Sequence, residues 1–125
     1  MRLTRYELEL MEILWRLDRA SVREIQEQLP DDHRPAYTTV QTMIYRLEEK
    51  GALKRTGKIG NAHVFEPALS RRSARKRVVE ELLSWFGGSA RPLVANLVEF
   101  GKLSLEDIRD MEKELTRRGK ASKSS

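Results

Sequence analysis

The chain has 125 residues, no cysteine, and a net charge of +5 from 24 basic and 19 acidic side chains. This length fits one domain or two very small ones and is too short for a large α/β enzyme. The absence of cysteine excludes disulfides, thiolate metal sites and cysteine nucleophiles. The two histidines, His33 and His63, lack a partner at metal-ligand spacing, so we expect neither a metal nor another cofactor. No apolar run reaches the roughly 18 residues that span a bilayer, and no apolar stretch of the kind found in signal peptides follows Met1-Arg2, so we expect a cytoplasmic protein without membrane insertion.

The positive charge is unevenly distributed along the chain. Residues 1–69 carry 11 basic and 11 acidic side chains, whereas residues 70–125 carry the whole excess. A net charge of +5 is a mild signal for a polyanion partner such as nucleic acid. In the neutral half, however, any recognition must depend on where individual side chains are placed.

Two capping boxes open the first two predicted helices. In Thr4-Arg5-Tyr6-Glu7 and in Ser21-Val22-Arg23-Glu24, the hydroxyl and the carboxylate can each accept a hydrogen bond from the other residue's backbone amide. The first helix then places apolar side chains at core-facing spacing, namely Leu10, Ile13, Leu14 and Leu17. The second helix is short and ends by Leu29-Pro30.

The third predicted helix, roughly Thr38 to Lys50, has two different faces. One face is apolar and predicts a core contact, and it consists of Val40, Met43, Ile44 and Leu47. The other carries uncharged hydrogen-bonding side chains, which are Thr38, Gln41, Thr42 and Tyr45. Exposed helix faces usually carry Glu and Lys, whereas Thr and Gln suit the donors, acceptors and methyl groups of base edges. We predict that these four residues read DNA bases and that the neighbouring Arg46 reaches a phosphate; the alternative is a slightly polar surface helix.

A basic hairpin follows this helix. Gly51 ends the helix, and strands over Leu53–Thr56 and Ala62–Glu66 flank a glycine-containing turn. Lys54, Arg55 and Lys58 suit phosphate contact, although a solvated edge hairpin protected by lysine shows the same pattern. Three helices followed by a basic hairpin are typical of a winged helix-turn-helix, whose third helix enters the major groove. The sequence therefore predicts a mainly α fold with a small β-hairpin, in which residues 1–69 bind DNA.

Residues 70–118 are predicted to form a helical dimerisation domain, followed by a disordered tail over residues 119–125. Three short helices in about 50 residues cannot bury all their large apolar side chains within one chain, which favours an isologous homodimer. The predicted interface residues are Val79, Leu82, Leu83, Trp85, Phe86, Leu93, Leu97, Ile108, Met111 and Leu115. A dimer displays two reading helices and matches an inverted-repeat DNA site with half-sites roughly 34 Å apart.

A basic cluster opens the fourth predicted helix, and it consists of Arg71, Arg72, Arg75, Lys76 and Arg77. Cations near a helix N-terminus oppose the helix macrodipole, which favours a polyanion or an acidic partner. We predict that Arg71 and Arg72 contact flanking phosphates. Solvated arginines paired locally with Glu80 and Glu81 are the alternative.

The sequence resembles the penicillinase-repressor family of bacterial transcriptional repressors, the BlaI/MecI type, from about Leu3 to Leu115. The segments that carry the resemblance are Leu3-Thr4, Glu7-Leu8-Glu9, Met11, Leu14-Trp15, Ser21-Val22-Arg23-Glu24-Ile25, Ala36-Tyr37-Thr38-Thr39-Val40-Gln41-Thr42-Met43, Arg46-Leu47-Glu48-Glu49-Lys50-Gly51 and Val64-Phe65-Glu66-Pro67. The resemblance implies a homodimer that represses transcription from an inverted-repeat operator, often with TACA/TGTA-like half-sites. It also implies that Thr38, Gln41 and Thr42 face bases, while Thr39, Arg46 and the hairpin serve the DNA backbone.

The resemblance further implies a route of release. Repressors of this family are often inactivated by proteolysis in the dimerisation region, triggered by a membrane sensor metalloprotease that detects β-lactams. The cut in well-known members falls at an Asn-Phe bond, and the corresponding pair here is Asn96-Leu97, which keeps Asn but not Phe. A copper-responsive branch of the family carries a C-terminal cysteine motif, which this cysteine-free chain lacks.

The leading hypothesis is therefore a homodimeric, sequence-specific transcriptional repressor, which the resemblance implies is released by a sensor-linked protease. The alternatives are a winged-helix protein adaptor and a regulator that senses a small molecule directly. An enzyme is not predicted, because the sequence shows no paired acid and base, nucleophile constellation or phosphate loop.

Overall fold

The computed structural model describes residues 2–124, with side chains as far as residue 120. The elements in chain order are α1 (Arg5–Leu17), β1 (Ala20–Ser21), α2 (Val22–Glu27), α3 (Tyr37–Glu49), β2 (Leu53–Ile59), β3 (Ala62–Pro67), α4 (Arg71–Ser84), α5 (Ala90–Glu99) and α6 (Leu105–Ser124). A single 3-10 turn at Asp31–His33 lies in the loop before α3. The chain forms two compact units, which divide between Val79 and Glu80.

Both predicted capping boxes are present. The Thr4 hydroxyl accepts from the Glu7 amide at 3.2 Å, and the Glu7 carboxylate accepts from the Thr4 amide at 2.9 Å. Ser21 and Glu24 repeat the arrangement at 3.2 and 3.1 Å. The starts of α1 and α2 are therefore fixed by local sequence, as predicted.

The core of the first unit lies between its three helices and its sheet. The largest fully buried side chains are Met11, Leu14, Ile25, Val40, Ile44, Leu47, Val64 and Phe65. The sheet is antiparallel with the order β1-β3-β2, and β1 pairs Ala20 with Phe65 and Ser21 with Val64. This strand was not predicted, because two residues carry no periodic pattern. It joins the start of α2 to the hairpin.

A β-bulge determines which face of the hairpin each cation occupies. Arg55 pairs with Phe65 and Lys58 with His63, and the register shifts between Arg55 and Gly57. Arg55 and Lys58 are three residues apart along the strand, a spacing that normally places two side chains on opposite faces. The extra residue in the bulge brings both side chains to the face of Phe65. Lys54 pairs with Glu66 and lies on the other face.

A nearly buried ion pair joins the start of α1 to the end of α3. Lys50 Nζ lies 2.6 Å from Glu7 Oε1 and also donates to the Arg2 carbonyl oxygen at 2.9 Å. Glu7 is only 4% exposed. Burial raises the pKa of Glu7, but hydrogen bonds from Lys50 and Thr4 outweigh it, so that the pKa lies below its ordinary value. The ionised carboxylate therefore stabilises this contact.

The division between the units falls inside α4, ten residues after the predicted boundary at 69/70. The first turns of α4 belong to the first unit because Ala74 is fully buried and both Arg71 and Arg75 form ion pairs with Glu12, at 3.2 and 3.5 Å. The helix that follows the hairpin is thus shared by the two units.

The second unit leaves its apolar side chains uncovered. Among the described residues, every fully buried apolar side chain lies at or before Ala74. By contrast, Trp85 is 68% exposed, Met111 59% and Leu115 72%. In the part of the chain described, no helix is long and apolar enough to cross a membrane.

The helix α6 continues through Gly119 to Ser124, where the sequence predicts a disordered tail over residues 119–125. Glycine costs a helix roughly 1 kcal/mol relative to alanine but does not end it alone. In the preceding turn, Glu114 forms ion pairs with Arg117 at 2.6 Å and with Arg118 at 2.7 Å. A lone glycine among good helix formers is thus a weak stop signal.

Removing the cation of the Glu7–Lys50 pair should destabilise the first unit. In Lys50→Met the Glu7 carboxylate stays buried without its partner, and we expect the free energy of unfolding at pH 7 to fall by about 1–3 kcal/mol. Urea unfolding of the variant and the wild type measures this difference.

The pH dependence of Glu7→Gln provides a second measurement on the same pair. Glutamine also serves at this position of a capping box, so the variant keeps the cap and loses only the charge. Because the folded pKa is lowered, the charge stabilises above the unfolded pKa near 4.3 and this contribution is lost as the pH falls through the folded value. The stability difference between wild type and variant should therefore shrink between about pH 5 and pH 3. A constant difference across this range would contradict the assigned direction.

Candidate nucleic-acid interface

The helix α3 presents the predicted reading face to solvent. Thr38 and Thr42 are exposed, Gln41 and Tyr45 are half-buried, and the opposite face of the helix is buried in the core. Ala36 supplies no side-chain cap at the start of α3. The apolar contacts of the buried face, rather than a local cap, therefore hold this helix and decide which residues it exposes.

The four predicted base-reading residues lie together, and two hydrogen bonds connect them in pairs. Thr42 Oγ1 donates to the Thr38 carbonyl oxygen at 2.9 Å. Gln41 Nε2 donates to the Tyr45 hydroxyl at 3.2 Å. These bonds restrict the rotamers of Thr42 and Gln41 while the Gln41 amide oxygen and the Thr42 methyl group remain for contact with bases.

A stack of side chains holds the hairpin against α3. The Arg55 guanidinium lies 4.9 Å from the centre of the Tyr45 ring and 5.6 Å from that of Phe65, and the two rings are 6.4 Å apart. Arg55 Nε also donates to Glu48 Oε2 at 2.8 Å, and this hydrogen bond raises the pKa of Arg55 above its ordinary value. Arg55, predicted as a phosphate contact, thus contacts α3 through Tyr45 and Glu48.

The remaining predicted backbone contacts fall into two groups. Arg46 and Lys58 are exposed on α3 and on the matching face of the hairpin, and neither forms an ion pair within the described chain. Thr39 is exposed in the first turn of α3. Lys54 lies on the far face of the hairpin, opposite Glu66. The structure therefore brings Thr39, Arg46 and Lys58 to the reading side but not Lys54.

The basic cluster of α4 is partly committed to contacts within the chain. Arg71 pairs with Glu12 and lies 5.7 Å from the centre of the Trp15 ring, whose Nε1 donates to the Leu69 carbonyl oxygen at 2.9 Å. The sequence did not indicate Glu12 as the partner, because 59 positions separate the two residues. Arg72 is exposed and forms no ion pair among the described residues.

Two residues that the sequence did not single out lie at the edge of the reading face. The Arg23 guanidinium, on α2, lies 5.5 Å from the centre of the Tyr37 ring at the start of α3. Arginine in a first helical turn and tyrosine before a polar helix are common surface residues. Only the tertiary arrangement of α2 and α3 brings them together.

A helix-turn-helix with an exposed polar third helix and a basic antiparallel hairpin beside it defines a winged-helix DNA-binding domain. The chain belongs to the penicillinase repressor family, whose model matches residues 3–117. It is therefore a DNA-binding transcriptional repressor rather than an enzyme. The fold class and the family predicted from the sequence are confirmed.

Three known proteins are similar to this chain. The chain is 28% identical over 106 residues to a penicillinase repressor of Bacillus licheniformis, covering 84% of this chain and 82% of that protein. The solved DNA-binding domain of the repressor BlaI matches with 29% identity and a TM-score of 0.51, over 58% of this chain and 87% of that one. A second match is the monomeric form of Bacillus licheniformis BlaI in complex with the blaP half-operator, with 29% identity and a TM-score of 0.49, over 58% and 88% of the two chains.

The different environments of Arg55 and Lys58 should separate stability from DNA contact. Arg55→Ala removes the stack on Tyr45 and the bond to Glu48, so we expect a lower Tm and little change in the salt dependence of DNA binding. Lys58→Ala should leave the Tm unchanged and flatten the slope of log K against log salt by about 0.9, the value of one phosphate contact. Thermal unfolding measures the Tm. Fluorescence anisotropy with DNA from upstream of the gene that encodes this protein measures the salt dependence of binding. A flattened slope in Arg55→Ala would mean that Arg55 leaves Glu48 to contact a phosphate.

Proposed function

We propose that this repressor binds an inverted-repeat operator as a homodimer in the cytoplasm, where its DNA target lies. The observation that carries the proposal is the uncharged, hydrogen-bonding face of α3 beside Lys58 of the hairpin, on a chain whose C-terminal helices leave their apolar faces uncovered. The first feature supports sequence-specific reading of DNA, and the second supports self-association.

Base recognition is assigned to Thr38, Gln41, Thr42 and Tyr45. Thr38 and Thr42 are exposed at the start of α3, the part of a recognition helix that enters the groove first. The Gln41 amide can pair with an adenine, and the bond between Gln41 and Tyr45 orients it. Tyr45 is half-buried against Phe65, and its hydroxyl lies at the C-terminal end of this face.

Contact with the DNA backbone is assigned chiefly to Thr39, Arg46 and Lys58, which share the reading side of the first unit. Lys54 and Arg72 are exposed and suit phosphates further along the duplex. Arg55 and Arg71 contribute their charge to the local potential, but direct contact would require them to leave Glu48 and Glu12.

Self-association is assigned to the apolar faces of the C-terminal helices. The residues involved are Val79, Leu82, Leu83, Trp85, Phe86, Leu93, Leu97, Ile108, Met111 and Leu115, none of which is fully buried within one chain. Leaving a large apolar side chain in water forgoes roughly 1.5–3 kcal/mol, so covering this set with the same set of a second chain is strongly favourable. Two copies of α3 then meet two half-sites of an inverted repeat.

Release by a sensor-linked protease at Asn96-Leu97 remains a prediction. The bond lies inside α5, and the carbonyl oxygens of both residues accept backbone hydrogen bonds, from Phe100 at 2.9 Å and Lys102 at 2.7 Å. Both side chains are half-buried. A protease therefore reaches this bond only when α5 opens locally, which ties the cleavage rate to the stability of the C-terminal helices.

Removing a base-reading side chain should lower specificity rather than general affinity. We expect Gln41→Ala to weaken operator binding by about 1–3 kcal/mol and to relax the preference at one base pair. Binding to unrelated DNA should stay the same. Lys58→Ala is the matched control, because loss of a phosphate contact weakens all sequences equally. Competition assays with single-base operator variants distinguish the two patterns, and equal loss on all sequences in Gln41→Ala would remove it from the reading set.

A charge placed on the apolar face of α6 should separate the dimer. Leu115→Asp buries an unpaired carboxylate in the proposed interface, so we expect a monomer at micromolar concentration that binds a full operator no more tightly than an isolated half-site. Lys113→Asp, on the opposite side of the same helix, should remain a dimer. Analytical ultracentrifugation measures both. A wild-type chain that is monomeric under the same conditions would refute the homodimer.

A further inference from the structure

A cleft of about 220 Å³ lies at the edge of the reading face, where α2, α3 and β3 meet. Its polar side chains are Arg23 from α2, Tyr37, Gln41 and Tyr45 from α3, Asn61 from the hairpin turn, and His63 from β3. Ser21, Val22, Ala62 and Phe65 complete the lining. The cleft therefore lies within the first unit and joins the helix that is predicted to read bases to the hairpin that is predicted to flank them.

The lining of this cleft is suited to an anion. None of the residues that line it is acidic, although 34% of the chain is charged. The Glu24 carboxylate, one position from Arg23, accepts a hydrogen bond from the Ser21 amide in the capping box. Arg23 is exposed and forms no ion pair in the described part of the chain. Its positive charge therefore faces the cleft without compensation by a carboxylate of the cleft.

Two donor side chains of this cleft, Arg23 and Gln41, are restricted by contacts with neighbouring tyrosines. The Arg23 guanidinium lies over the Tyr37 ring at 5.5 Å, which restricts a flexible side chain to one side of the cleft. Gln41 donates to Tyr45, and the two form part of the lining next to the half-buried His63. Lys58 pairs with His63 across the hairpin and lies on the same face, so it adds a second cation beside the cleft.

We propose that this cleft binds a phosphodiester group of the operator backbone, with Arg23 as its main cation and Tyr37 as the residue that positions Arg23. This inference rests on the proposed function, because it assumes that α3 enters the major groove. It assigns phosphate contact to Arg23, which lies outside the recognition face and the hairpin cations, and a positioning role to Tyr37. Planar guanidinium donors match phosphate oxygens, and the Asn61 amide and the His63 imidazole supply further donors within the same cleft.

The test measures the salt dependence of DNA binding by the full chain. Arg23→Ala should flatten the slope of log K against log salt by about 0.9 and weaken operator and unrelated DNA alike, by about tenfold near 0.1 M salt. Tyr37→Phe should bind as the wild type, because it keeps the ring under Arg23. Tyr37→Leu should lose part of the affinity while keeping the slope, since the charge remains but its position is no longer fixed. Thermal unfolding verifies that each variant is folded.

Neutral phosphates identify the DNA group involved. Each operator in a set carries one neutral methylphosphonate at a different backbone position. At one position, this replacement should weaken operator binding by the wild type about as much as the Arg23→Ala substitution does. The same replacement should not weaken operator binding by Arg23→Ala any further. Lys58→Ala is the matched control. The methylphosphonate that weakens its operator binding no further should lie at another backbone position, either adjacent or more distant.

Three outcomes would overturn the inference. The first is an unchanged salt slope and affinity in Arg23→Ala while the wild type binds its operator. The second is that every methylphosphonate weakens operator binding by Arg23→Ala as much as it weakens binding by the wild type. The third is stabilisation by inorganic phosphate that Arg23→Ala abolishes while the slope for DNA stays the same, which would assign the cleft to a free phosphate-bearing ligand. A wild type that binds no DNA at any salt concentration would instead remove the proposed function, and this inference with it.

Discussion

The burial of one face of α3 is the constraint on which the rest of the DNA-binding surface depends. Val40, Ile44 and Leu47 are fully buried, and no side chain caps the start of this helix. Burial against α1, α2 and the sheet therefore sets the rotation of α3 about its axis. Because side chains three and four positions apart share a face, the same rotation exposes Thr38 and Thr42. The residues assigned to base contact are thus displayed by the buried residues of the same helix.

The position of the hairpin depends on a second, polar contact with the same helix. The stack of Arg55 on Tyr45 and Phe65, together with its bond to Glu48, links β2 to the last turns of α3. The bulge after Arg55 then places Lys58 on the same side as this stack. One arginine thus links the hairpin to α3, while a lysine three residues later stays exposed on the same face.

Sequence patterns predicted the local features well and the long-range contacts poorly. The capping boxes at Thr4 and Ser21 need only four consecutive residues, and the buried face of α3 needs only a helical period, so both could be found. The strand β1 and the partner of Arg55 could not, because each depends on residues that come together only in the folded chain. The predicted tail differed for another reason, since a helix stop was inferred from composition and Gly119 does not stop α6.

The pairing of charges explains how a first half with no net charge can bind a polyanion. Several acidic side chains pair with particular cations: Glu7 with Lys50, Glu12 with Arg71 and Arg75, and Glu66 with Arg19. Arg23, Arg46 and Lys58, in contrast, form no ion pair within the described chain. Phosphate attraction falls off within about 10 Å at 0.1 M salt, so these nearby cations matter more than the sum over the chain. The distribution of ion pairs therefore says more than the net charge about which cations of this half are left to attract a polyanion.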